Sequence, residues 1–171
     1  MLHAFKEHLK SLAADSKDPF FLKVRQRIGK RATALLEKRL RQLVVITPDV
    51  VERVHELWRQ FGKDLPARKV SGYLLTYLYH PKDFLDEDEH GLFGYLDDAY
   101  FAALVYEFVL ARVQEAGNDL TAQDKRFLKE ISNMKDAARL VIPNEAEKIE
   151  RMFKEIQETE QSVTFQAAFG N

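Results

Sequence analysis

The sequence predicts an all-α protein, a bundle of six or seven helices in a single domain over residues 1–158. Apolar residues recur at helical spacing along most of the 171-residue chain, and only seven glycines and five prolines interrupt them. Helix start signals, a capping side chain followed by proline, occur at Asp18 and Thr47. Residues 99–110 contain Glu107 as their only charge, which is typical of a helix in the middle of a bundle.

The first half of the chain is expected to form three helices. The first covers about residues 2–14, and the second covers about residues 19–45, with a gap in its apolar pattern at residues 31–33. The start signal at Thr47 and Pro48 predicts that a third helix begins there and runs to about residue 61.

Two central helices follow, over about residues 67–79 and 93–115, and an acidic loop joins them as an antiparallel pair. Thr121 and Asp124 have the spacing of a capping box, which predicts a helix that ends before Pro143. A last helix is expected over about residues 144–158. Glu107 needs either a hydrogen-bonding or cationic partner or a route to water, because an unpartnered buried carboxylate is costly.

The acidic loop, residues 80–98, holds seven of the chain's 27 carboxylates and two of its five histidines. Hard divalent cations need several oxygen ligands that converge on one point, because those oxygens replace the ion's water shell. The loop is therefore a candidate site for Mg²⁺, Mn²⁺, Ca²⁺ or Zn²⁺. The candidate ligands are His80, Asp83, Asp86, Asp88, Asp97 and Asp98.

An alternative interpretation of the loop needs no ion. A polar loop between two apolar helices has to satisfy the last carbonyls of one helix and the first amides of the next. Histidine suits the first task and aspartate the second, and both gain from the helix dipole. On this interpretation His80, Asp97 and Asp98 are helix caps, and residues 86–89 are solvated charge. A third alternative is that the loop forms an interface with a basic partner.

The loop and its flanks also carry a family resemblance. An apolar run at residues 73–80 precedes Pro81 and Asp83, and the loop closes with Gly-Tyr-Leu-Asp-Asp at residues 94–98. These residues resemble the core of the YkvA-like domain of unknown function over roughly residues 70–110. The family's second Pro-Asp is replaced here by Asp-Glu-Asp-Glu-His-Gly at residues 86–91. The resemblance implies a helical fold and directs attention to the loop, but it implies no activity.

The first third of the chain is basic, with 11 Lys or Arg against four Asp or Glu in residues 1–47. A basic surface can face nucleic acid, but this one has no interleaved aromatic residues and matches no nucleic-acid-binding motif. Nucleic-acid binding is therefore not expected. The basic side chains are expected to be solvated, or to dock beside the acidic loop of the same molecule.

Residues 159–171 leave the helical pattern and are expected to form an extended or flexible tail. Val163, Phe165 and Phe169 are more apolar than a solvated chain end needs. The tail is therefore a candidate for self-association or for binding a protein partner.

Composition and motifs limit the classes of function. The chain has no cysteine, which excludes disulfides and cysteine-ligated zinc, and it has no apolar run of transmembrane length. Residues 1–10 are not expected to be a secretory signal, because Lys6, Glu7 and Lys10 interrupt their apolar character. A cytoplasmic, soluble protein is expected. It contains no glycine-rich phosphate loop and no familiar hydrolase motif. We expect a non-enzymatic interaction or adaptor protein; the alternative is a metal-dependent hydrolase or phosphoesterase that uses the loop carboxylates.

Overall fold

The computed structural model describes residues 2–61, 65–80 and 84–158, and in this part of the chain it confirms the all-α bundle. Seven helices there have nine residues or more, and one further helix, α5, is a single turn. The 3₁₀ turns Gly29–Arg31 and Gly91–Tyr95 precede α3 and α6. The helices are α1 (Leu2–Ala14), α2 (Phe20–Ile28), α3 (Ala34–Phe61), α4 (Leu65–Leu78), α5 (Glu87–His90), α6 (Leu96–Glu115), α7 (Ala122–Val141) and α8 (Pro143–Glu158).

Helix α6 lies at the centre of the bundle, where α3, α4, α7 and α8 all pack against it. It pairs with α4 in antiparallel fashion. Tyr77 near the end of α4 packs against Phe101 near the start of α6, with ring centroids 5.0 Å apart. Ala67 near the start of α4 lines the same small cavity as Val113 near the end of α6. The antiparallel central pair predicted from the sequence is thus confirmed.

The N-terminal helices divide at a different place from the predicted one. The prediction of one helix over residues 19–45 and a new one at Pro48 is wrong, because α2 ends at Ile28 and α3 runs without a break through Pro48. Gly29 ends α2 with a φ of 59°, a left-handed value that glycine adopts at little steric cost.

Proline is tolerated inside α3 because packing outweighs the hydrogen bond that it removes. Such a proline costs roughly 3 kcal/mol relative to alanine, while each buried valine or leucine contributes about 1.5–3 kcal/mol. Thr47, which was expected to cap a new helix, instead donates from its hydroxyl to the Leu43 carbonyl one turn back, at 3.0 Å. The buried face that continues across Pro48 includes Leu40, Leu43, Val44, Thr47, Val51 and Val54.

The capping box predicted at the start of α7 is confirmed, with Thr121 and Asp124 as its members. Asp18 was predicted to be the N-cap of α2 with Pro19 as the first helical residue, but Pro19 occupies the cap position and Phe20 begins the helix. The Asp18 carboxylate accepts a hydrogen bond from the Phe20 amide, at 3.0 Å. Glu107 has partners on α7, since its carboxylate lies 2.5 Å from the Ser132 hydroxyl and 2.6 Å from the Lys135 ammonium.

None of the helices that the structure describes combines the length and apolar character needed to cross a membrane.

The predicted tail, residues 159–171 with Val163, Phe165 and Phe169, lies outside the described residues, so its role in association stays a prediction.

Candidate functional site

The acidic turn, residues 86–89, is fixed to the bundle from both sides. Leu85 before it and Leu92 and Phe93 after it are buried in the hydrophobic core. Gly94 then passes so close to α5 that an added Cβ would lie 2.5 Å from the Glu87 Cα. Any residue with a side chain would clash there, so the position requires glycine. The acidic turn is therefore held in one conformation by residues that are not themselves charged.

Asp97 ties α4, the loop and α6 together. Its side chain is fully buried, at 0% exposure. Oδ2 accepts hydrogen bonds from the Tyr77 hydroxyl at 2.9 Å and from the amides of Phe84 and Leu85, both at 3.2 Å. Oδ1 accepts from the Asp98 amide at 3.0 Å. A buried carboxylate needs such donors, because they replace the hydration that it loses.

The other predicted ligands divide between the core and the surface. Asp98 is buried, at 1% exposure, beside Asp97. His80 follows the end of α4, where its amide donates to the Tyr77 carbonyl at 2.9 Å. Asp86 is exposed and caps α5 by accepting from the Glu89 amide at 3.2 Å. Asp88 is exposed on α5.

The metal hypothesis stays a prediction. Among residues 2–61, 65–80 and 84–158, no group of three or more histidine, aspartate or glutamate side chains is arranged to hold an ion. Asp83, one of the six predicted ligands, lies outside these ranges. The structure thus places Asp97 and Asp98 together in the core, and Asp86 and Asp88 on the surface turn.

The acidic turn is a cluster of four carboxylates that makes no ion pair within the described part of the molecule. Asp86, Asp88 and Glu89 are exposed and Glu87 is half-buried. None of the four carboxylates belongs to an ion pair between described residues. The pKa of Glu87 is raised, first by burial and then by the charges of Asp86 and Asp88. Crowding of like charges makes the turn a focused negative surface.

Part of the basic N-terminal region lies beside the acidic turn, which is one of the two arrangements that the sequence predicts for its basic side chains. The Nζ of Lys23 on α2 lies 3.2 Å from Nδ1 of His90, the last residue of α5. Asp18, which precedes α2, accepts a hydrogen bond from the Leu92 amide at 3.0 Å. These two contacts join α2 to the segment that follows the acidic turn.

Two arginines of the same region are also engaged within the molecule. Arg27 lies over the Phe93 ring, 5.9 Å from its centroid, and pairs with Glu145 at 2.9 Å. Arg41 lies 4.7 Å from the centroid of the Phe20 ring and pairs with Asp18 at 3.3 Å. The remaining basic side chains of residues 25–39 are exposed, as a solvated face would be: Arg25, Lys30, Arg31, Lys38 and Arg39.

A second acidic surface, which the sequence analysis did not identify, lies between α3 and α7. It is a cleft of about 380 Å³ whose lining includes Asp49, Glu52 and Glu56. Arg53 crosses it and pairs with Asp124, with 2.7 Å between Nη2 and Oδ1. The spacing of the charged residues along α3 can be read from the sequence, but the pairing of Arg53 with Asp124, which lies 71 positions away, cannot.

Charge in this cleft is largely compensated, in contrast to the acidic turn. Asp49 pairs with Lys6, while Glu56 and Asp124 share Arg53.

Comparisons with protein-family models, with curated proteins and with solved structures found no match to this chain. The resemblance to the YkvA-like domain over roughly residues 70–110 therefore stays a prediction.

Proposed function

We propose that this protein is a non-enzymatic interaction or adaptor protein whose acidic turn, residues 86–89, receives a basic segment of a partner protein. The observation that carries the proposal is the set of four consecutive carboxylates that form no ion pair with any described residue. Like charges at this spacing repel one another, and a cationic side chain from a partner relieves that repulsion. The electrostatic free energy gained on binding a basic partner is therefore larger at the acidic turn than at a surface whose charges are already paired.

The rigid mounting of the turn supports the same proposal. The buried neighbours Leu85 and Leu92 and the close approach of Gly94 hold its backbone in place before any partner arrives. A preorganised surface loses less conformational entropy on binding than a flexible one. Complementary charge also speeds encounter and disfavours acidic partners.

The test is the affinity of a fluorescently labelled lysine-rich peptide for the full chain, measured by anisotropy at several salt concentrations. The turn variant carries Asp88→Asn and Glu89→Gln, which remove two charges and keep the capping carboxylate of Asp86. The matched control carries Asp119→Asn and Glu130→Gln, two exposed acidic residues elsewhere on the surface. Both variants have the same net charge.

The turn variant is expected to bind the peptide about two- to thirtyfold more weakly, because exposed ion pairs contribute roughly 0.2–1 kcal/mol each. The control is expected to bind like the unmodified protein. Equal weakening in both variants would show that the peptide responds to net charge alone, and absence of binding at low salt would contradict the proposal directly.

A further inference from the structure

We infer that the basic corner of the molecule, residues 20–39, is a docking surface for an anionic membrane. The corner consists of α2, the 3₁₀ turn after it and the first turns of α3, and it contains seven Lys or Arg against one acidic residue. Three large apolar side chains are exposed within it, Phe21 at 36%, Leu22 at 57% and Leu35 at 59%. Cationic and exposed apolar side chains together suit a bilayer surface, where phosphates lie directly above hydrocarbon.

The exposed face of α2 places an arginine beside two apolar side chains. Arg25 follows Phe21 by four positions and Leu22 by three, so both are its neighbours on the helix surface. Phe20 and Val24, on the other side of the helix, are fully buried. The core is thus complete without Phe21 and Leu22, which stay in contact with solvent next to a cation.

The start of α3 repeats this arrangement. Leu35 precedes Lys38 by three positions and Arg39 by four, which again puts an exposed apolar side chain beside two cations. The turn between the helices adds exposed bases of its own. None of the following exposed side chains belongs to an ion pair between described residues: Arg25, Lys30, Arg31, Lys38 and Arg39.

The acidic turn lies on the other side of α2 and does not oppose an anionic surface there. Phe20 packs against Phe93 with ring centroids 5.6 Å apart, and Lys23 lies 3.2 Å from His90. Successive helical residues are rotated by about 100°, so Phe20 and Lys23 point away from the side that carries Arg25. The basic corner can therefore face a bilayer while the acidic turn is left open to a partner protein.

An anionic membrane fits this surface better than nucleic acid does. Both present phosphates to lysine and arginine, but only the bilayer also offers hydrocarbon to Leu22 and Leu35, which are more than half exposed. Burial of these side chains contributes a part of the affinity that salt does not screen, whereas phosphate contacts weaken steeply with salt.

Sedimentation of the full chain with phosphatidylcholine vesicles, with and without one third phosphatidylserine, measures binding at several salt concentrations. The charge variant carries Arg25→Gln and Lys38→Gln. Its matched control carries Arg126→Gln and Lys129→Gln, two exposed bases near the start of α7, and has the same net charge. Duplex DNA is tested in parallel as the competing ligand.

Two further variants test the apolar part of the surface. Leu22→Gln and Leu35→Gln each remove one exposed leucine, and Leu75→Gln, at an exposed leucine on α4, is their control. Because the chain has no cysteine, Leu22→Cys or Leu75→Cys also allows one polarity-sensitive fluorophore to be attached at a single place. Denaturant unfolding shows that each variant is folded.

The unmodified protein is expected to bind only the vesicles that contain phosphatidylserine. The charge variant should bind them about thirtyfold more weakly, because each base near an anionic surface raises the affinity roughly fivefold. Each leucine variant should bind about three- to tenfold more weakly at every salt concentration, and both controls should bind like the unmodified protein. The fluorophore at position 22, but not at position 75, should report a less polar environment on the vesicles.

Absence of binding to the phosphatidylserine vesicles would overturn the inference, and tight binding to DNA alone would assign the basic corner to nucleic acid instead. Equal weakening in the charge variant and its control would show attraction by net charge without a defined surface. Unchanged binding of both leucine variants, with no response of the fluorophore at position 22, would equally contradict docking through the basic corner.

Discussion

Replacement of Asp97 by alanine is expected to destabilise the protein more than removal of any exposed carboxylate of the acidic loop. The substitution takes the acceptor away from the Tyr77 hydroxyl and from the amides of Phe84 and Leu85. Tyr77 and Leu85 are 1% and 2% exposed, so water cannot readily take its place. Each buried donor that loses its acceptor costs roughly 1–3 kcal/mol, and removing the buried charge offsets part of that sum. The net loss in unfolding free energy is expected to be about 3–5 kcal/mol.

Thermal and denaturant unfolding measure this loss. At this chain length about 2–4 °C per kcal/mol is expected, so the melting temperature should fall by roughly 6–20 °C. Tyr77→Phe removes one donor and should cost about 1 kcal/mol, while Asp88→Ala, on the exposed turn, should stay within about 0.5 kcal/mol. If Asp97→Ala costs no more than about 1 kcal/mol, which is the usual value of a simple helix cap, the role of Asp97 as a buried link is refuted.

Three further predictions concern other parts of the molecule. If the loop binds a divalent cation, then Mg²⁺, Mn²⁺, Ca²⁺ or Zn²⁺ will raise the melting temperature relative to EDTA, by the equivalent of about 2.7 kcal/mol at a hundredfold excess over Kd. The double variant Asp83→Asn with Asp97→Asn will abolish this rise. Identical melting curves with every ion contradict a metal site. Burial raises the pKa of Asp124, but hydrogen bonds from its capping threonine and Arg53 outweigh burial and leave that pKa lowered. The ionised Asp124 therefore stabilises the protein fully above the ordinary aspartate pKa of about 3.9, and this stabilisation is lost as pH falls through the lowered pKa of the native state. The unfolding free energy of Asp124→Asn, measured over the same acid range, should not show this loss. Deletion of residues 160–171 should leave the melting temperature nearly unchanged and weaken any self-association, and a fall of more than about 10 °C would show that the tail packs into the domain.

The elements of this fold could be predicted where a local pattern decides them. The apolar run at residues 99–110, with Glu107 as its only charge, indicated the central helix, and the spacing of Thr121 and Asp124 indicated the start of α7. The prediction failed at Pro48, because a local start signal there competes with a buried face that extends over the whole of α3. That face is formed by contacts with other helices, which the local pattern does not contain.

The site was predicted only in part, for the same reason. The composition of the loop identified Asp97 and Asp98, but their burial depends on the packing of α4 against α6. The hydrogen bond to Tyr77 joins residues 20 positions apart, and the contact between Lys23 and His90 joins residues 67 positions apart. Spacing along one element cannot reveal such pairs, since they exist only once the helices have packed.

The most direct test of the proposed function is to map where a lysine-rich peptide binds, by NMR chemical-shift changes in the full chain at low salt. The acidic turn, residues 86–89, and the adjoining Gly91–Tyr95 are predicted to show the largest changes, because the turn carries carboxylates with no ion pair to a described residue. Largest changes at Asp49, Glu52 and Glu56 would instead place the peptide in the cleft between α3 and α7 and would contradict the proposal.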